Sequence, residues 1–257
     1  MAQRAARRTT FGVVVSTIAS LVVAQAAHAA SDAQAGAVAT TGSPWGVDTV
    51  SNIQSGDILA QTKSDLGNPR FAGRYLIYNS ELSSGEAQYL HANSVSIVLI
   101  DDPNRSFTSG AADAQQAIAR AKALGVTKGV AIFRDVETSD PISAMYVSAY
   151  TAAFSGSGFV AGFYENPING AFAGAFCSAV SGDPSLVDRS VLYSSEPENT
   201  GSDPKRSARP GFKPDVPGCA NRTAAWQYLE RGLFPPGTWP NVDVDEFASQ
   251  YTRMLWA

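Results

Sequence analysis

Eight short apolar segments recur along this chain after residue 43, and helix-like stretches separate several of them. We take these segments as strands: PWGVDTV, FAGRYLIYN, SVSIVLIDD, GVAIFRDVE, GFVAGFYEN, SVLYSSE, TAAWQYLE and NVDVDEF. The clearest helix is GAADAQQAIARAKALG, in which an apolar stripe from Ala114 to Leu124 ends at Gly125, a natural stop. Eight strands alternating with helices over about 210 residues predict an α/β fold, a (β/α)8 TIM barrel in a single domain.

A doubly wound open sheet is the alternative fold. That fold binds dinucleotides through a glycine-rich turn after its first strand, and no such turn follows PWGVDTV. We find no Walker or dinucleotide loop elsewhere in the sequence, and we expect no cofactor.

The first 30 residues have the features of a secretory signal peptide. MAQRAARR carries three arginines and no acid, an apolar stretch follows, and AHA at residues 27–29 is a small-x-small cleavage site. A membrane anchor is the alternative, but the apolar stretch is short and contains Ser, Thr and Gln. Arg7 and Arg8 leave export by the twin-arginine route open. We therefore expect a signal peptide over 1–30, a flexible lead-in over 31–44, a barrel domain over 45–257, and a secreted or cell-wall-associated protein.

Charge and histidine content exclude several classes of function. Removing residues 1–30 removes three of 19 basic residues and none of 23 acids, so the net charge becomes 16 − 23 = −7. That charge disfavours nucleic acid and anionic membranes as partners, and we expect a monomer with no membrane contact after signal removal. Only His91 remains once His28 leaves with the signal peptide, which almost eliminates Ser-His-Asp and Cys-His chemistry and His-rich metal sites.

Cys177 and Cys219 are the two cysteines of the chain. In an exported protein we favour a disulfide between them over two free thiols, and no CxxC or Cys/His cluster suggests zinc. Residues 196–222 contain five prolines and no helical pattern. Because structureless segments of this length are usually functional or disordered, we predict a loop after strand six that Cys219 holds beside the active face. A plain surface excursion is the alternative.

The stretch AIFRDVET places charges in a strand that is otherwise apolar. Because side chains alternate faces, Asp135 and Glu137 share one face with Ala131 and Phe133, whereas Arg134 points to the other. Burying a carboxylate pair costs several kcal/mol per ion. We therefore infer that the pair has a role.

Acids also mark the first and the last strand. Asp48 lies near the end of strand one, and Asp243 and Asp245 share a face of strand eight. Active sites of barrels lie at the carboxyl ends of the strands, and strands one and eight are neighbours in a closed barrel. Helix capping or a solvated position is the alternative for any one of these acids, but their coincidence on strands one, four and eight favours a shared site.

Clustered carboxyl groups raise one another's pKa, so one can hold a proton near neutral pH while another stays ionised. Glycoside hydrolysis needs this division, with an acid for the leaving oxygen and a carboxylate for the oxocarbenium-like centre or the water. Tyr75, Tyr164 and Trp226 are candidates for a sugar platform, and core packing is the alternative for each. Gln227 is a candidate to hydrogen-bond a sugar hydroxyl, or else a neighbouring backbone group.

Several motifs resemble, in order, the actinobacterial glycoside-hydrolase-like barrel called domain of unknown function 1906: WGVDTV, GRYLIYN, GAADAQQAIARAKALGV, VAIFRDVE, GFYEN, AWQYLE and NVDVDEF. That family is similar to the family 25 lysozymes, which cleave the muramic acid linkage of peptidoglycan. The resemblance extends over most of the predicted barrel domain, and it implies an exported protein linked to cell-wall glycans.

The resemblance also implies roles for individual residues. Glu137 would be the general acid and Asp135 its partner on strand four, while Asp48 and Asp243 would be the acids of strands one and eight. It further implies that Tyr164 and Gln227 line the substrate groove. Two departures bear on substrate fit: Arg134 replaces an apolar residue, and VLYSSE lacks the tryptophans common in the lysozymes.

From these observations we expect a secreted glycoside hydrolase of peptidoglycan or a related β-linked amino-sugar polymer. A non-catalytic protein that binds cell-wall polysaccharide on the same barrel is the first alternative. A divalent-metal site built from the same acids is the second, although our preferred site contains no metal.

Overall fold

The computed structural model describes residues 42–78, 80–103, 105–196, 211–230 and 242–257. The predicted signal peptide, most of the predicted lead-in and residues 197–210 of the proline-rich segment lie outside the described residues. Eight strands form a closed barrel in chain order. They are β1 (Trp45–Asp48), β2 (Phe71–Tyr75), β3 (Ser96–Asp101), β4 (Ala131–Val136), β5 (Val160–Glu165), β6 (Ser190–Ser195), β7 (Thr223–Leu229) and β8 (Asp243–Phe247).

Helices connect the first six strands, and this arrangement confirms the predicted (β/α)8 class. Serine side chains at positions 83, 109 and 143 cap three of these helices, because each hydroxyl accepts the backbone N–H three residues later. Among the described residues, no helix combines the length and the apolar character needed to cross a bilayer. The helices are α1 (Ile58–Asp65), α2 (Ser84–Ala92), α3 (Gly110–Ala123), α4 (Ala144–Ala153), α5 (Phe172–Gly182) and α6 (Leu186–Arg189).

The last strand differs in direction from the others. Strands β1 to β7 pair in parallel, whereas β8 is antiparallel to both β7 and β1. The predicted adjacency of strands one and eight is confirmed, and Asp243, the first residue of β8, pairs with Asp48, the last residue of β1. Because β8 runs in the opposite direction, its first residue, Asp243, lies at the end of the barrel where the other seven strands have their carboxyl ends.

Two apolar layers sort the side chains of each strand. On β4, Ala131 and Phe133 belong to the inner layer, which fills the barrel, while Ile132 and Val136 belong to the layer between strands and helices. This confirms the predicted alternation over Ala131–Val136, whereas Glu137, which was predicted to continue the strand, lies in the turn that follows it. At the opposite end from the strand carboxyl ends, the 3₁₀ helix Ser249–Met254 adds Met254 to the inner layer.

Arg134 points outward and is wholly buried in the outer layer. Its Nη1 donates to Asp102 Oδ1 at 3.0 Å, and its Nε donates to the Tyr146 hydroxyl at 2.9 Å. The guanidinium also lies over the ring of Phe107, 4.3 Å from its centroid. The departure from an apolar residue at this position thus serves helix-to-strand packing rather than contact with a ligand inside the barrel.

Cys177 of α5 and Cys219 form the predicted disulfide. Of the proline-rich segment, residues 211–222 are described, and Phe212, Cys219 and Ala220 pack against the outer layer. None of these described segment residues lines the cavity at the barrel mouth. The tether is therefore confirmed, but this part of the segment lies on the outside of the barrel.

Gly162 of β5 faces into the barrel, where a Cβ atom would lie 2.6 Å from the ring of Phe133. We expect Gly162→Ala to lower the free energy of unfolding by about 1–3 kcal/mol through overpacking, measured by urea denaturation. Gly174→Ala in α5 is the matched control, because a Cβ there meets nothing within 4 Å and replaces a helical glycine, which stabilises by about 0.5–1 kcal/mol. Equal effects of the two substitutions would contradict this packing argument.

Candidate active site

A cavity of about 500 Å³ opens at the carboxyl ends of the strands, where barrels place their active sites. Polar side chains from β1, β2, β5, β6, β7 and β8, and from the turn after β4, form its walls. Asp135, another predicted site residue, is buried in the barrel interior and does not line the cavity. The predicted residues that do line it are Asp48, Tyr75, Glu137, Tyr164, Gln227 and Asp243.

Glu137 enters the cavity from the turn that follows β4, with half of its side chain exposed. The Asp140 side chain holds this turn, since the Glu137 N–H donates to Asp140 Oδ2 at 2.8 Å and the Asp140 N–H donates to the Glu137 carbonyl at 3.0 Å. Partial burial raises the pKa of Glu137, and the nearby acids Asp140 and Glu230 raise it further, whereas Arg105 opposes them.

Asp135 is 1% exposed and shares the inward face of β4 with Phe133. The Tyr75 hydroxyl donates to Asp135 Oδ2 at 3.3 Å, while Oδ1 is buried without a hydrogen-bond partner. Burial raises the pKa of Asp135 to about 8, and the negative charges of Glu137 and Asp102 act in the same direction. Asp135 therefore retains a proton at neutral pH and meets the cavity through the Tyr75 hydroxyl.

The opposite wall carries a second group of acids. The Tyr193 hydroxyl donates to Asp48 Oδ2 at 3.3 Å, and Asp245 is wholly buried beside them. Burial raises the pKa of Asp48 well above its usual value, and the adjacent Asp245 and Asp243 raise it further. Burial also raises the pKa of Asp245, to about 8, and because like charges in one buried space disfavour ionisation, Asp48 and Asp245 are not both charged at neutral pH.

Neutral polar groups connect β5, β6 and β7 across the cavity. The Tyr164 hydroxyl donates to Gln227 Oε1 at 2.6 Å and accepts from the Ser195 hydroxyl at 3.0 Å. Trp226, the third aromatic candidate, is wholly buried in the outer layer. The expectation that it forms a sugar platform is therefore wrong, because adjacent residues of a strand face opposite sides and Gln227 faces inward.

Arg105 is the main residue of the site that sequence reasoning missed. Its Nη1 donates to Asp140 Oδ2 at 2.8 Å, and its Nη2 lies 3.8 Å from both Asp135 and Glu137. The signal available was its position just past the carboxyl end of the third strand, in DDPNR. Within the described ranges, no group of three or more His, Cys, Asp and Glu side chains is arranged to hold a metal ion.

Comparison with known proteins gives a family and a fold. The model of the family described as Rv2525c-like, glycoside hydrolase-like domain matches residues 68–246, which confirms the resemblance found in the motifs. The solved structure of an uncharacterized protein of B. stearothermophilus is similar, with 25% sequence identity and a TM-score of 0.75. The match covers 83% of this chain and 100% of the B. stearothermophilus chain. The bacterial lysozyme from Streptomyces coelicolor has the same fold, at 16% identity and a TM-score of 0.50, covering 84% of this chain and 98% of its own. The curated proteins contain no significant match.

The raised pKa of Asp135 makes stability depend on pH in a defined direction. The folded protein keeps a proton up to about pH 8, whereas a free aspartate releases it near 3.8. Relative to Asp135→Asn, the wild type is therefore most stable below about pH 4 and loses up to about 1.4 kcal/mol per pH unit as the pH rises toward 8. Urea denaturation of both proteins across this range measures the difference.

Asp183→Asn is the control for this titration. Asp183 is exposed, and its hydrogen bond from Ser185 lowers the pKa of its carboxyl group. Its contribution to stability is present above the unfolded pKa and is lost as the pH falls, so its pH dependence has the opposite sign. A stability difference between wild type and Asp135→Asn that does not change with pH would show that Asp135 is ionised at neutral pH.

Proposed function

This chain belongs to the Rv2525c-like, glycoside hydrolase-like domain family, and we propose that it is a secreted glycoside hydrolase acting on peptidoglycan or a related amino-sugar polymer. The cavity carries this proposal, because Glu137 on one wall and Asp48 with Asp243 on the other border a single space. The lysozyme that shares the fold supports a cell-wall polysaccharide as the substrate. The leader-like first 30 residues and the disulfide support export.

We assign Glu137 as the general acid. Its half-exposed side chain reaches the cavity, and its raised pKa lets it keep a proton to a higher pH than an ordinary glutamate. In the reaction this proton passes to the glycosidic oxygen as the bond to the sugar carbon breaks. Two hydrogen bonds hold the turn, one from the Glu137 N–H to the Asp140 side chain and one from the Asp140 N–H to the Glu137 carbonyl, so the carboxyl group approaches the substrate from a fixed position.

We assign stabilisation of the cationic sugar centre to the acids of the opposite wall. The β1–β8 pairing holds Asp48 next to Asp243, so an ionised carboxylate of this pair can face the oxocarbenium-like carbon. Where the sugar carries an N-acetyl group, that group can act as the nucleophile. Asp135 and Tyr75 then lie on the Glu137 side of the cavity, where their linked hydroxyl and carboxyl groups can orient it.

The side chains of Ser195, Tyr164 and Gln227, which hydrogen-bond one another, supply hydrogen-bond donors and acceptors for the substrate hydroxyls. These groups already hydrogen-bond one another, so they are held in place before a sugar binds. The Tyr75 ring lines the cavity and packs against Tyr78, with centroids 5.2 Å apart, so Tyr75 can supply an aromatic contact to a pyranose ring.

A second candidate function is non-catalytic binding of the same polysaccharide, and Arg105 is the observation that favours it. The positive charge of Arg105, 3.8 Å from Glu137, favours the ionised form of that carboxyl group and so opposes its use as an acid. A protein with this function would hold the glycan in the cavity without cleaving it.

Glu137→Gln separates hydrolysis from binding. We expect the wild type to release reducing ends from purified peptidoglycan or chito-oligosaccharides, and the variant to lose about 10²–10⁴-fold of this rate, as is typical for loss of a general acid. Glu81→Gln, an exposed glutamate that pairs with Arg120 outside the cavity, is the control and should keep the wild-type rate. Sedimentation of wild type and Glu137→Gln with peptidoglycan, without release by either, would establish the binding function instead.

Arg105→Gln tests the electrostatics of the acid. Removing the positive charge raises the pKa of Glu137 further, because Arg105 is the group that lowers it. The alkaline limb of the pH–rate profile should therefore move to higher pH, since that limb reports loss of the proton from the acid. An unchanged alkaline limb would show that another group supplies the proton.

A further inference from the structure

Glu165, the last residue of β5, has no role in the cavity and is wholly buried. Both of its carboxylate oxygens lack a hydrogen-bond partner. Its neighbour Tyr164 faces into the barrel, so Glu165 faces outward, toward the layer between strands and helices. Burial of a carboxylate with nothing to compensate its charge is very unfavourable, so Glu165 must either hold a proton or face a cation.

A second buried acid lies beside it. Glu165 pairs in register with Ser194 of β6, and Glu196 follows two residues later on the same face. The Ser194 hydroxyl lies 3.4 Å from Glu196 Oε1, which confirms this shared face. Burial raises the pKa of Glu165 well above its usual value, and the charge of Glu196, which is 6% exposed, raises it further. Two carboxyl groups and a hydroxyl thus converge at the outer ends of β5 and β6.

The described part of the proline-rich segment closes this space. The Asp215 N–H donates to Glu196 Oε1 at 2.7 Å, and the Asp215 carbonyl accepts from the Ser194 hydroxyl at 3.0 Å. The Cys177–Cys219 disulfide fastens the same segment to α5. A main-chain carbonyl oxygen is therefore held next to the hydroxyl and the two carboxyl groups, and the donor set consists of oxygen atoms.

We propose that Glu165 and Glu196, together with the Ser194 hydroxyl and the Asp215 carbonyl, form a calcium site that ties residues 211–222 to the ends of β5 and β6. Calcium suits this donor set, because it takes carboxylates, carbonyls and hydroxyls in irregular geometry, whereas magnesium demands near-octahedral geometry. A proton on Glu165 would remove its charge but would leave its oxygens without hydrogen-bond partners. A cation between the two carboxylates satisfies both requirements.

The site is separate from the cavity, although one residue connects them. Ser195 lies between Ser194 and Glu196 in sequence and faces inward, where its hydroxyl donates to Tyr164. Calcium would therefore fix the strand end that carries a cavity side chain. Because the cation contacts none of the cavity acids, its binding can be measured whether or not the protein hydrolyses a glycan.

Terbium luminescence tests the site in the full chain after treatment with EDTA. The Trp226 indole donates to the Glu196 carbonyl at 3.4 Å, so a Tb³⁺ ion bound here receives energy from an excited tryptophan. We expect sensitised Tb³⁺ emission that CaCl2 displaces, and a Ca²⁺ affinity that is at least about tenfold weaker in Glu165→Gln, since affinity follows the charge of the ligands. CaCl2 should also raise the Tm of the wild type but not that of this variant.

Glu137→Gln is the matched control, because it removes the same charge from the cavity and should keep the emission. Loss of emission in Glu137→Gln with retention in Glu165→Gln would place the cation among the cavity acids and overturn the proposal. Absence of a Ca²⁺-displaceable signal in the wild type would overturn it as well. Glu196→Gln provides a second test should Glu165→Gln fail to fold, and unchanged Ca²⁺ affinity in that variant would also be a negative result.

Discussion

Desolvation of carboxyl groups at one end of the barrel is the constraint on which the site depends. Asp48, Asp135 and Asp245 are buried where water cannot stabilise their charges, and burial is the largest cause of the raised pKa of each. Protons therefore remain on acids that would be ionised in water. The half-exposed Glu137 differs from them, because it can exchange its proton with a ligand in the cavity.

The pleat of the strands allows these buried carboxyl groups to coexist with a buried arginine. Asp135 and Arg134 are adjacent in sequence, but one faces the barrel interior and the other faces the helices. Arg134 joins β4 to the outer layer through Asp102 and Tyr146, and this anchors the strand whose inner face carries Asp135. The inward carboxyl group of Asp135 and the outward guanidinium of Arg134 are thus separated by a single peptide unit.

Local periodicity predicted the strands and the face of Asp135, because alternation is a property of the strand itself, whereas Glu137 lies in the turn after β4 and not on the strand. It did not predict the direction of β8, since an alternating pattern is the same in either direction. Arg105 and Asp140 escaped prediction for a different reason: they lie in turns, and only the assembled barrel brings them to Glu137. Trp226 was assigned to the site because it lies near a strand end, although its inward-facing neighbour Gln227 requires it to face outward.

The reversed direction of β8 also determines how the protein can be attached to anything else. Trp45 begins β1 at the end of the barrel opposite the cavity, and the antiparallel β8 brings the chain back to that same end. There the segment after β8 packs Met254 into the barrel interior and pairs Trp256 with Ile97. Both ends of the barrel domain therefore emerge on the side away from the cavity. A fused domain, an immobilising tag or a surface linkage at either end of the barrel domain would therefore extend from the side opposite the cavity.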